Sequence, residues 1–378
     1  RHDKIRLAYL SADYRDHATS HLMAGLWELH DRHRFEITAI SLGPDDKSAM
    51  RRRVVAAFDR FVEAGGRSDR EIAGLLRNHE VDIAIDLGGI TTNCRPGILA
   101  HRPAPVQVSY LGYPGTTAAA HLDYVIADRT VLPPEDHAFF TEKVAYLPET
   151  YQANDAKRPI APRVPSRRDL GLPETGLVFC CFNVSYKIAP AVFEVWMRIL
   201  RKAAGSVLWL FGDNAAAVRN LRREAAARDI APERLVFAPR VGAAEHLARH
   251  ARADLFLDTL PYNGHTTASD ALWAGVPVIT CLGTAFPGRV AASLLRALGL
   301  PELITVSLAE YEELVLRLAA DPDLLAGVTA KLARHRVTAP LFDTERFCRH
   351  IEDAYIRMWQ RSRQGLPPES FAVEASPR

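Results

Sequence analysis

The sequence has few of the features that mark secreted, metal-binding or membrane proteins. Its 378 residues include five cysteines, none in a C-x-x-C pair, so neither a disulfide framework nor a zinc site is expected. No run of 18 apolar residues and no signal-peptide pattern occurs, which argues against a membrane protein. Lys and Arg number 47 against 45 Asp and Glu, a balance that does not favour nucleic acid or membrane surfaces as partners. We therefore expect a cytoplasmic protein with reduced thiols.

Motifs of several enzyme classes are also missing. There is no G-x-G-x-x-G, no P-loop and no G-x-S-x-G elbow, so nicotinamide and serine-hydrolase chemistry lose support. Asp321-Pro322-Asp323 matches a D-x-D metal pattern by letter. It lies between two helical segments, where Asp-Pro is typical of a helix start, so we interpret it as a cap and expect no metal.

Hydrophobic patterning predicts an α/β protein. Short apolar runs, several of them apolar on both faces, alternate with segments of helical periodicity, as expected for buried parallel strands and their helices. The first half contains predicted strands at residues 5–11, 35–42, 81–87, 106–111 and 124–127, and helices at 21–32, 48–58 and 68–79. After a polar, proline-bearing stretch from Asn154 to Pro173 the alternation restarts, with strands at 177–182, 207–211, 235–238, 255–258 and 278–281.

This restart predicts two doubly wound, Rossmann-like domains facing each other across a cleft, with the polar stretch as a linker. We place these domains at residues 1–160 and 174–340, followed by a closing helix and tail at 341–378. A single large sheet is the alternative, but it explains the linker poorly.

The strongest site signal is residues 253–277, ADLFLDTLPYNGHTTASDALWAGVP. A predicted strand ends in a turn, and a helix begins near His265, Thr266 and Thr267. Ligands of doubly wound folds bind at the carboxyl ends of strands, and a helix start offers free N–H groups to phosphate oxygens. The two threonine hydroxyls and the ring N–H of His265 add donors, and Asp270 can accept from a ribose hydroxyl. The ordinary alternative is that Asn263 and Thr266 cap the helix and Asp270 is solvated.

Two further residues follow predicted strands. Lys187 lies between the first strand of the second half and a helix led by Pro190, where a lysine can reach a diphosphate and offset the charge of a leaving nucleotide. His17 falls in the turn after the first strand, before a helix that we expect Thr19 or Ser20 to cap. The ordinary pKa of histidine suits proton transfer. The alternatives are a solvated lysine and a capping or packing histidine.

Taken together, these segments resemble the protein O-GlcNAc transferase family, glycosyltransferase family 41, most of all its bacterial members. The likeness runs over nearly the whole chain and rests on stretches that are long and ordered as in the family: SADYRDHATSHLM, RPAPVQVSYLGYPGT, DYVIADRTVLPPE, EKVAYLPE, FNVSYKIAP, SVLWLFGDN, RLVFAP, AEHLARHARADLFLDTLPYNGHTTASDALWAGVPV and RVAASLLRALGLPELI. Bacterial members usually carry tetratricopeptide repeats before the catalytic part. Because the chain opens on Arg1 without Met, we expect such repeats upstream in a longer protein.

The resemblance implies a GT-B fold and an inverting, metal-independent transfer of GlcNAc from UDP-GlcNAc to Ser/Thr hydroxyls of proteins, with no cofactor. By motif, the residues implied at the donor are Lys187 at the diphosphate, His265, Thr266 and Thr267 at the phosphates, Asp270 and His246 at the ribose, and Arg249 near the uracil. His17 would face the acceptor and the sugar. Either His17 or a phosphate oxygen of the donor would take the proton.

Four positions depart from the family pattern on the donor side: Val184, Ala243, Thr284 and, in the loop 86–97, Gly89. The alternatives are therefore a protein O-fucosyltransferase that uses GDP-fucose, an Asn-directed glucosyltransferase, and a non-catalytic scaffold that binds a nucleotide sugar. The fucosyltransferases generally lack the equivalents of His265 and Asp270. Loss of Lys187 or His265 would favour a scaffold, and both residues are present.

Overall fold

The computed structural model describes residues 3–375, which divide into two compact units. The first unit comprises the described residues up to Lys157 and those from Pro340 onward, and the second spans Arg158–Ala339. In the first part of the chain, strands and helices alternate as follows: β1 Ile5–Ser11, α1 Ala18–Leu29, β2 Phe35–Ser41, α2 Ala49–Ala57, β3 Arg60–Glu63, α3 Asp69–Asn78, β4 Ile83–Asp86, α4 Gly97–Ala100, β5 Val106–Ser109, β6 Tyr124–Ala127 and β7 Lys143–Tyr146.

The second unit repeats the alternation and ends in two consecutive helices. Its elements are β8 Val178–Cys181, α5 Pro190–Lys202, β9 Val207–Phe211, α6 Ala215–Ala226, β10 Leu235–Ala238, α7 Ala243–Arg249, β11 Leu255–Leu257, α8 Thr266–Ala274, β12 Val278–Cys281, α9 Val290–Ala297, β13 Ile304–Thr305, α10 Leu308–Ala320 and α11 Pro322–Thr338. Asp321 caps α11 by accepting from Leu324 N at 3.0 Å, which confirms the cap predicted there. The chain then returns to the first unit with α12 Thr344–Arg363 and β14 Phe371–Ala372.

Each unit is built on one parallel sheet whose strand order reverses once. In the first unit the order is β14-β7-β6-β5-β4-β1-β2-β3, so the chain runs outward in opposite directions from the neighbours β1 and β4. In the second unit the order is β10-β9-β8-β11-β12-β13, and the reversal lies between β8 and β11. Such a reversal leaves a crevice at the carboxyl ends of the two central strands, which is where doubly wound folds bind ligands.

Differences in burial explain why the central strands could be predicted from the sequence and some other strands could not. The strands beside each reversal are apolar on both faces; all four residues of β8 are buried, as are Leu7 to Ser11 of β1. The edge strand β3, in contrast, is exposed at its charged ends Arg60 and Glu63 and carries no apolar run. It was therefore not predicted, and neither were β7, β13 and β14.

The polar stretch predicted as a linker contains no α-helix or β-strand, yet several of its polar residues are buried. Asp155 is fully buried and accepts from Arg53 Nη1 at 2.6 Å. Arg158 is 5% exposed and bonds within the second unit. The stretch is therefore not solvated throughout, because ion pairs compensate the burial of these two charges.

The last helix is attached to the first unit by a buried polar network. Glu352 of α12 accepts from His30 Nδ1 at 2.9 Å and from Asp31 N at 2.8 Å, and the Cys348 thiol lies 3.6 Å from the same oxygen. Tyr9 OH lies 2.8 Å from His30 Nε2. These side chains are of metal-binding types and lie close together, but each is committed to the hydrogen bonds of the network, so we interpret it as a structural anchor for α12. No helix within residues 3–375 has the length and apolar character needed to cross a membrane.

Candidate active site

The carboxyl ends of β8 and β11 carry a group of buried polar side chains. Asn183 follows β8, and Asp258 follows β11. The Asp258 carboxylate accepts from Gly264 N at 2.6 Å and from Thr280 Oγ1 at 2.7 Å, so it fixes the loop that leads from β11 to α8. Burial raises the pKa of Asp258 to about 6. Sequence reasoning missed both residues, although a polar residue directly after a buried strand is the signal that could have found them.

Asn183 joins the two strand ends. Its Nδ2 donates to Thr259 Oγ1 at 2.7 Å, and its Oδ1 accepts from the Thr267 hydroxyl. Thr267 is thus brought to the expected place, but its hydroxyl proton is used by Asn183. A ligand at the helix start is left with the backbone N–H groups and with Thr266, which is partly exposed.

Lys187 lies beside this loop. Its Nζ donates to Asn263 O at 2.8 Å and stands 4.0 Å from the centre of the Tyr262 ring. Burial lowers the pKa of Lys187 to about 8, against the opposing effect of Asp258. The ammonium group is therefore held in a partly desolvated position, where an anionic ligand would stabilise its charged form.

The start of α8 is not capped by a side chain. His265 occupies the N-cap position and makes no side-chain cap bond, while Asn263 Nδ2 donates to Thr259 O at 2.8 Å. The alternative in which Asn263 and Thr266 cap the helix is therefore wrong. Within the described structure, the first N–H groups of α8 are left without a side-chain acceptor, as an anion site requires.

His265 contributes in a different way from the expected one. Its Nε2 donates to Pro287 O at 3.1 Å, and its ring stacks on Tyr262 at 4.9 Å between centroids. Burial, with a smaller effect of Lys187, lowers the pKa of His265 to about 3. The neutral ring has one N–H, and Pro287 uses it, so His265 supports Tyr262 and the helix start rather than offering a ring donor to a phosphate.

Asp270 lies in α8 and is paired with Arg158. The Arg158 Nη1 donates to Asp270 Oδ1 at 2.5 Å, and its Nη2 to Ser269 Oγ at 3.2 Å. The solvated Asp270 of the alternative interpretation is not observed, since its side chain is only 17% exposed. No sequence signal indicates this pair, because the two residues lie 112 positions apart.

A second group surrounds Phe182, directly after β8. His246 and Arg249 of α7 contact each other at 2.6 Å between Nδ1 and Nη2. The Arg249 guanidinium lies 4.8 Å from the Phe182 ring centre, and the His246 ring lies 5.1 Å from it. His250, which sequence reasoning did not single out, donates from Nδ1 to His246 O at 2.8 Å. The structure thus brings His246 and Arg249 together with an aromatic ring at one end of the crevice.

Acid is expected to destabilise this unit. Burial is the main cause that lowers the pKa of His250 to about 4 and that of His246 to about 2. An unfolded histidine has a pKa near 6.5, so unfolding takes up protons on these rings below that pH. The raised pKa of Asp258, about 6, acts in the opposite direction, but the lowered pKa values of His246, His250 and His265 together outweigh it, and the free energy of unfolding falls as pH drops from about 6.5 towards 4. Each such histidine contributes up to roughly 1.4 kcal/mol per pH unit in that window.

Urea unfolding between about pH 7 and about pH 5 measures this loss. His250→Phe removes one titrating ring from the same packed position, so its stability should depend less steeply on pH than that of the wild type. A free energy of unfolding that stays constant over this range would contradict the burial argument.

His17 precedes α1 in the first unit and forms the N-cap of that helix. Its backbone is extended, with φ −146° and ψ 155°, and its Nδ1 accepts from Thr19 N at 3.3 Å. The predicted cap at Thr19 or Ser20 is wrong, because the Ser20 hydroxyl donates back to Asp13 O at 2.7 Å. Burial lowers the pKa of His17, opposed by Asp13, whose carboxylate lies 3.6 Å from Nδ1.

A pocket opens at the reversal of the first sheet. Ser11, Asp13, Asp86 and residues 91–95 belong to its lining, which in the described structure does not include His17. Asp86 ends β4, accepts from the N–H groups of Gly88 at 2.9 Å and Gly89 at 3.0 Å, and has its pKa raised by burial. Sequence reasoning missed Asp86 as a site residue.

Gly89, one of the four departures, has a structural reason. Its φ is +60°, and a Cβ there would lie 2.5 Å from Tyr113 Cβ, so a larger residue is excluded. The other departures lie at or beside the ends of elements: Val184 before the 3-10 turn that bears Lys187, Ala243 at the first position of α7, and Thr284 after β12.

Comparison with known proteins gives a consistent result. The model of glycosyl transferase family 41 matches residues 1–161 and 153–351. The Arabidopsis thaliana protein named probable UDP-N-acetylglucosamine–peptide N-acetylglucosaminyltransferase SEC is 38% identical over 376 residues, 98% of this chain and 38% of that protein. The Caenorhabditis elegans UDP-N-acetylglucosamine–peptide N-acetylglucosaminyltransferase is 29% identical over 96% of this chain and 41% of its own length. The chain thus spans about two fifths of the length of these relatives.

Solved structures agree with this similarity. A mutant of the Thermobaculum terrenum O-GlcNAc transferase superposes with a TM-score of 0.88 at 33% identity, over 96% of this chain and 69% of that chain. The Anabaena HepE structure in complex with UDP and glucose gives a TM-score of 0.63 at 14% identity, over 93% of this chain and 100% of that chain. At that identity the second match concerns the fold alone.

Proposed function

The chain belongs to glycosyl transferase family 41 and has the GT-B fold, and from this premise we propose that it transfers GlcNAc from UDP-GlcNAc to Ser or Thr hydroxyls of polypeptides. The names of the similar proteins from Arabidopsis and Caenorhabditis support the donor and the peptide acceptor. We further propose that the transfer inverts the sugar carbon and needs no metal.

The observation that carries the proposal is the pairing of Lys187 with an uncapped helix start at one strand reversal. The ammonium group and the positive end of α8 supply the charge that a diphosphate needs. As the sugar–phosphate bond breaks, negative charge grows on the leaving UDP, and Lys187 stabilises it. This arrangement takes over the role that a divalent cation has in metal-dependent transferases.

The nucleoside would occupy the adjacent part of the same crevice. In the proposed assignment Asp270 and His246 hold the ribose, Arg249 lies near the uracil, and Thr266 with the first N–H groups of α8 holds the phosphates. The hydrogen bond from the Thr267 hydroxyl to Asn183 holds the start of α8 beside the end of β8.

The acceptor would use the first unit. We assign His17 to the acceptor side, where either its imidazole or a phosphate oxygen of the donor takes the proton from the attacking hydroxyl. Tetratricopeptide repeats upstream would supply further contacts to protein acceptors. Four of the five cysteines are buried and all are free, which supports work in the reducing cytoplasm.

A panel of sugar donors tests the proposal and separates it from its alternatives. Purified protein is incubated in EDTA with UDP-GlcNAc, UDP-glucose, UDP-GalNAc or GDP-fucose, and nucleotide release is measured. UDP-GlcNAc should be turned over fastest. Preference for GDP-fucose would indicate a fucosyltransferase, preference for UDP-glucose would favour an Asn-directed enzyme, and binding of UDP-GlcNAc without any turnover would indicate a scaffold.

A further inference from the structure

Arg158 bonds to residues of α8 through both its guanidinium group and its backbone carbonyl. Its guanidinium bonds Asp270 at 2.5 Å and Ser269 at 3.2 Å, and its carbonyl accepts from Trp273 Nε1 at 3.2 Å. The guanidinium also stands 5.6 Å from the Trp273 ring centre. The start of the second unit is therefore fastened along one face of the helix that bears the phosphate site.

The same segment also reaches α7. Ala161 N donates to Ala244 O at 3.0 Å, three residues after Arg158. Since α7 carries His246 and Arg249 and α8 carries Asp270, the segment 158–161 links the two helices that the proposed function assigns to the nucleoside. Residues 158–161, which lie in the predicted linker, thus connect α7 to α8 within the proposed nucleoside site.

An aspartate near the surface can adopt several rotamers, and only some of them can present its carboxylate to a ligand. The bond to Arg158 restricts the rotamers that Asp270 can adopt. The guanidinium also bonds Ser269, and this second bond fixes the orientation in which it meets the Asp270 carboxylate. The planar guanidinium suits two such bonds at once, whereas a lysine ammonium is a single point charge.

We propose that Arg158 is a positioning residue for ribose recognition: its ion pair holds the Asp270 carboxylate in the orientation that accepts the ribose hydroxyls. This inference rests on the proposed function, because it takes a nucleoside diphosphate as the ligand. Arg158 acts through Asp270, and its removal should therefore abolish selectivity for the ribose hydroxyls rather than affinity for the diphosphate.

The test compares UDP with 2′,3′-dideoxyuridine diphosphate by calorimetry in EDTA. The wild type should prefer UDP by about ten- to a hundredfold, the worth of a hydrogen bond to a charged group. Asp270→Asn and Arg158→Leu should both lose most of that preference, and the double variant should lose no more than Asp270→Asn alone. Affinity for the dideoxy ligand should change little.

Two further variants keep the test decisive. Arg158→Lys retains the positive charge beside Asp270, so the variant should still fold. Its ammonium group cannot make the two parallel bonds of a guanidinium, so it should also lose the preference for UDP over the dideoxy ligand. Arg336→Leu is the matched control: Arg336 donates to Trp273 O at 2.8 Å from α11, so it contacts the same tryptophan, and its loss should leave the preference for UDP intact.

The outcomes separate the inference from its premise. If the wild type binds neither ligand, the proposed function fails and the inference with it. If the wild type and Asp270→Asn differ in selectivity while both Arg158 variants keep the wild-type ratio, Arg158 only stabilises the fold and the inference is overturned. If the wild type binds both ligands equally, the inference is overturned while diphosphate binding stands.

Discussion

Lys187→Ala is expected to weaken UDP binding by about ten- to a hundredfold, because a charge-assisted hydrogen bond to a phosphate contributes roughly 1.5–3 kcal/mol. The alanine variant also leaves Asn263 O without its donor at 2.8 Å, so its melting temperature must be measured beside its affinity. Lys202→Ala is a suitable control, since that lysine pairs with Glu312 at 2.9 Å away from the strand ends. Equal affinities of wild type and Lys187→Ala for UDP would reject the phosphate site.

The pH dependence of UDP binding provides a sharper form of the same test. Because burial lowers the pKa of Lys187 to about 8, the ligand-free protein loses the ammonium charge above that pH. UDP affinity should therefore change little between about pH 7 and about pH 8, where the terminal phosphate is already ionised, and fall towards tenfold per unit above about pH 8. In Lys187→Arg the guanidinium stays charged, so its affinity should not decline in this range. A decline of the same size in both proteins would assign the effect to another group.

His17→Asn is expected to reduce transfer to a peptide by about 10²–10⁴-fold if the imidazole takes the proton, while the protein remains folded. Asparagine is among the best N-cap residues, so this substitution preserves the bond that His17 makes to Thr19 N and removes the titrating ring. His17→Ala removes both functions and should cost about 1 kcal/mol of stability as well. UDP affinity should change in neither variant.

His17 can take the proton from the acceptor only in one tautomer of its ring. In the capping arrangement Nδ1 accepts from Thr19 N, so the proton of the neutral ring is on Nε2, which cannot then act as a base. Base catalysis through Nε2 requires Nδ1 to carry the proton and to donate it to Asp13, now 3.6 Å away. Full transfer activity in His17→Asn would show that His17 only caps α1 and would leave the donor phosphate as the proton acceptor.

Local signals in the sequence account for much of the fold. The predicted strands at 124–127, 207–211 and 235–238 are confirmed at both ends, because each is an apolar run bounded by polar or turn residues. The helix predicted at 68–79 is confirmed as well, and it begins with a capping box between Ser68 and Glu71. The edge strand β14 has only two residues and pairs with β7, a contact of long sequence separation that no local pattern contains.

The same distinction between local and long-range signals applies to the residues of the candidate site. Residues placed by a strand end or a helix start, such as Lys187 and Thr266, could be predicted from the sequence. The side-chain partners that decide how those residues work could not: the Pro287 carbonyl that uses the N–H of His265 and the guanidinium that pairs with Asp270 come from distant parts of the chain. Tautomer and rotamer depend on such partners.

Transfer of the sugar to a peptide tests the central claim most directly. A pool of Ser- and Thr-containing peptides is incubated in EDTA with UDP-GlcNAc and either wild-type protein or Lys187→Ala, and the peptides are analysed by intact-mass spectrometry with fragmentation. We predict that wild-type protein adds one N-acetylhexosamine to a Ser or Thr and that Lys187→Ala adds far less. Peptides left unmodified by the wild type, or modified equally by both proteins, would contradict the account.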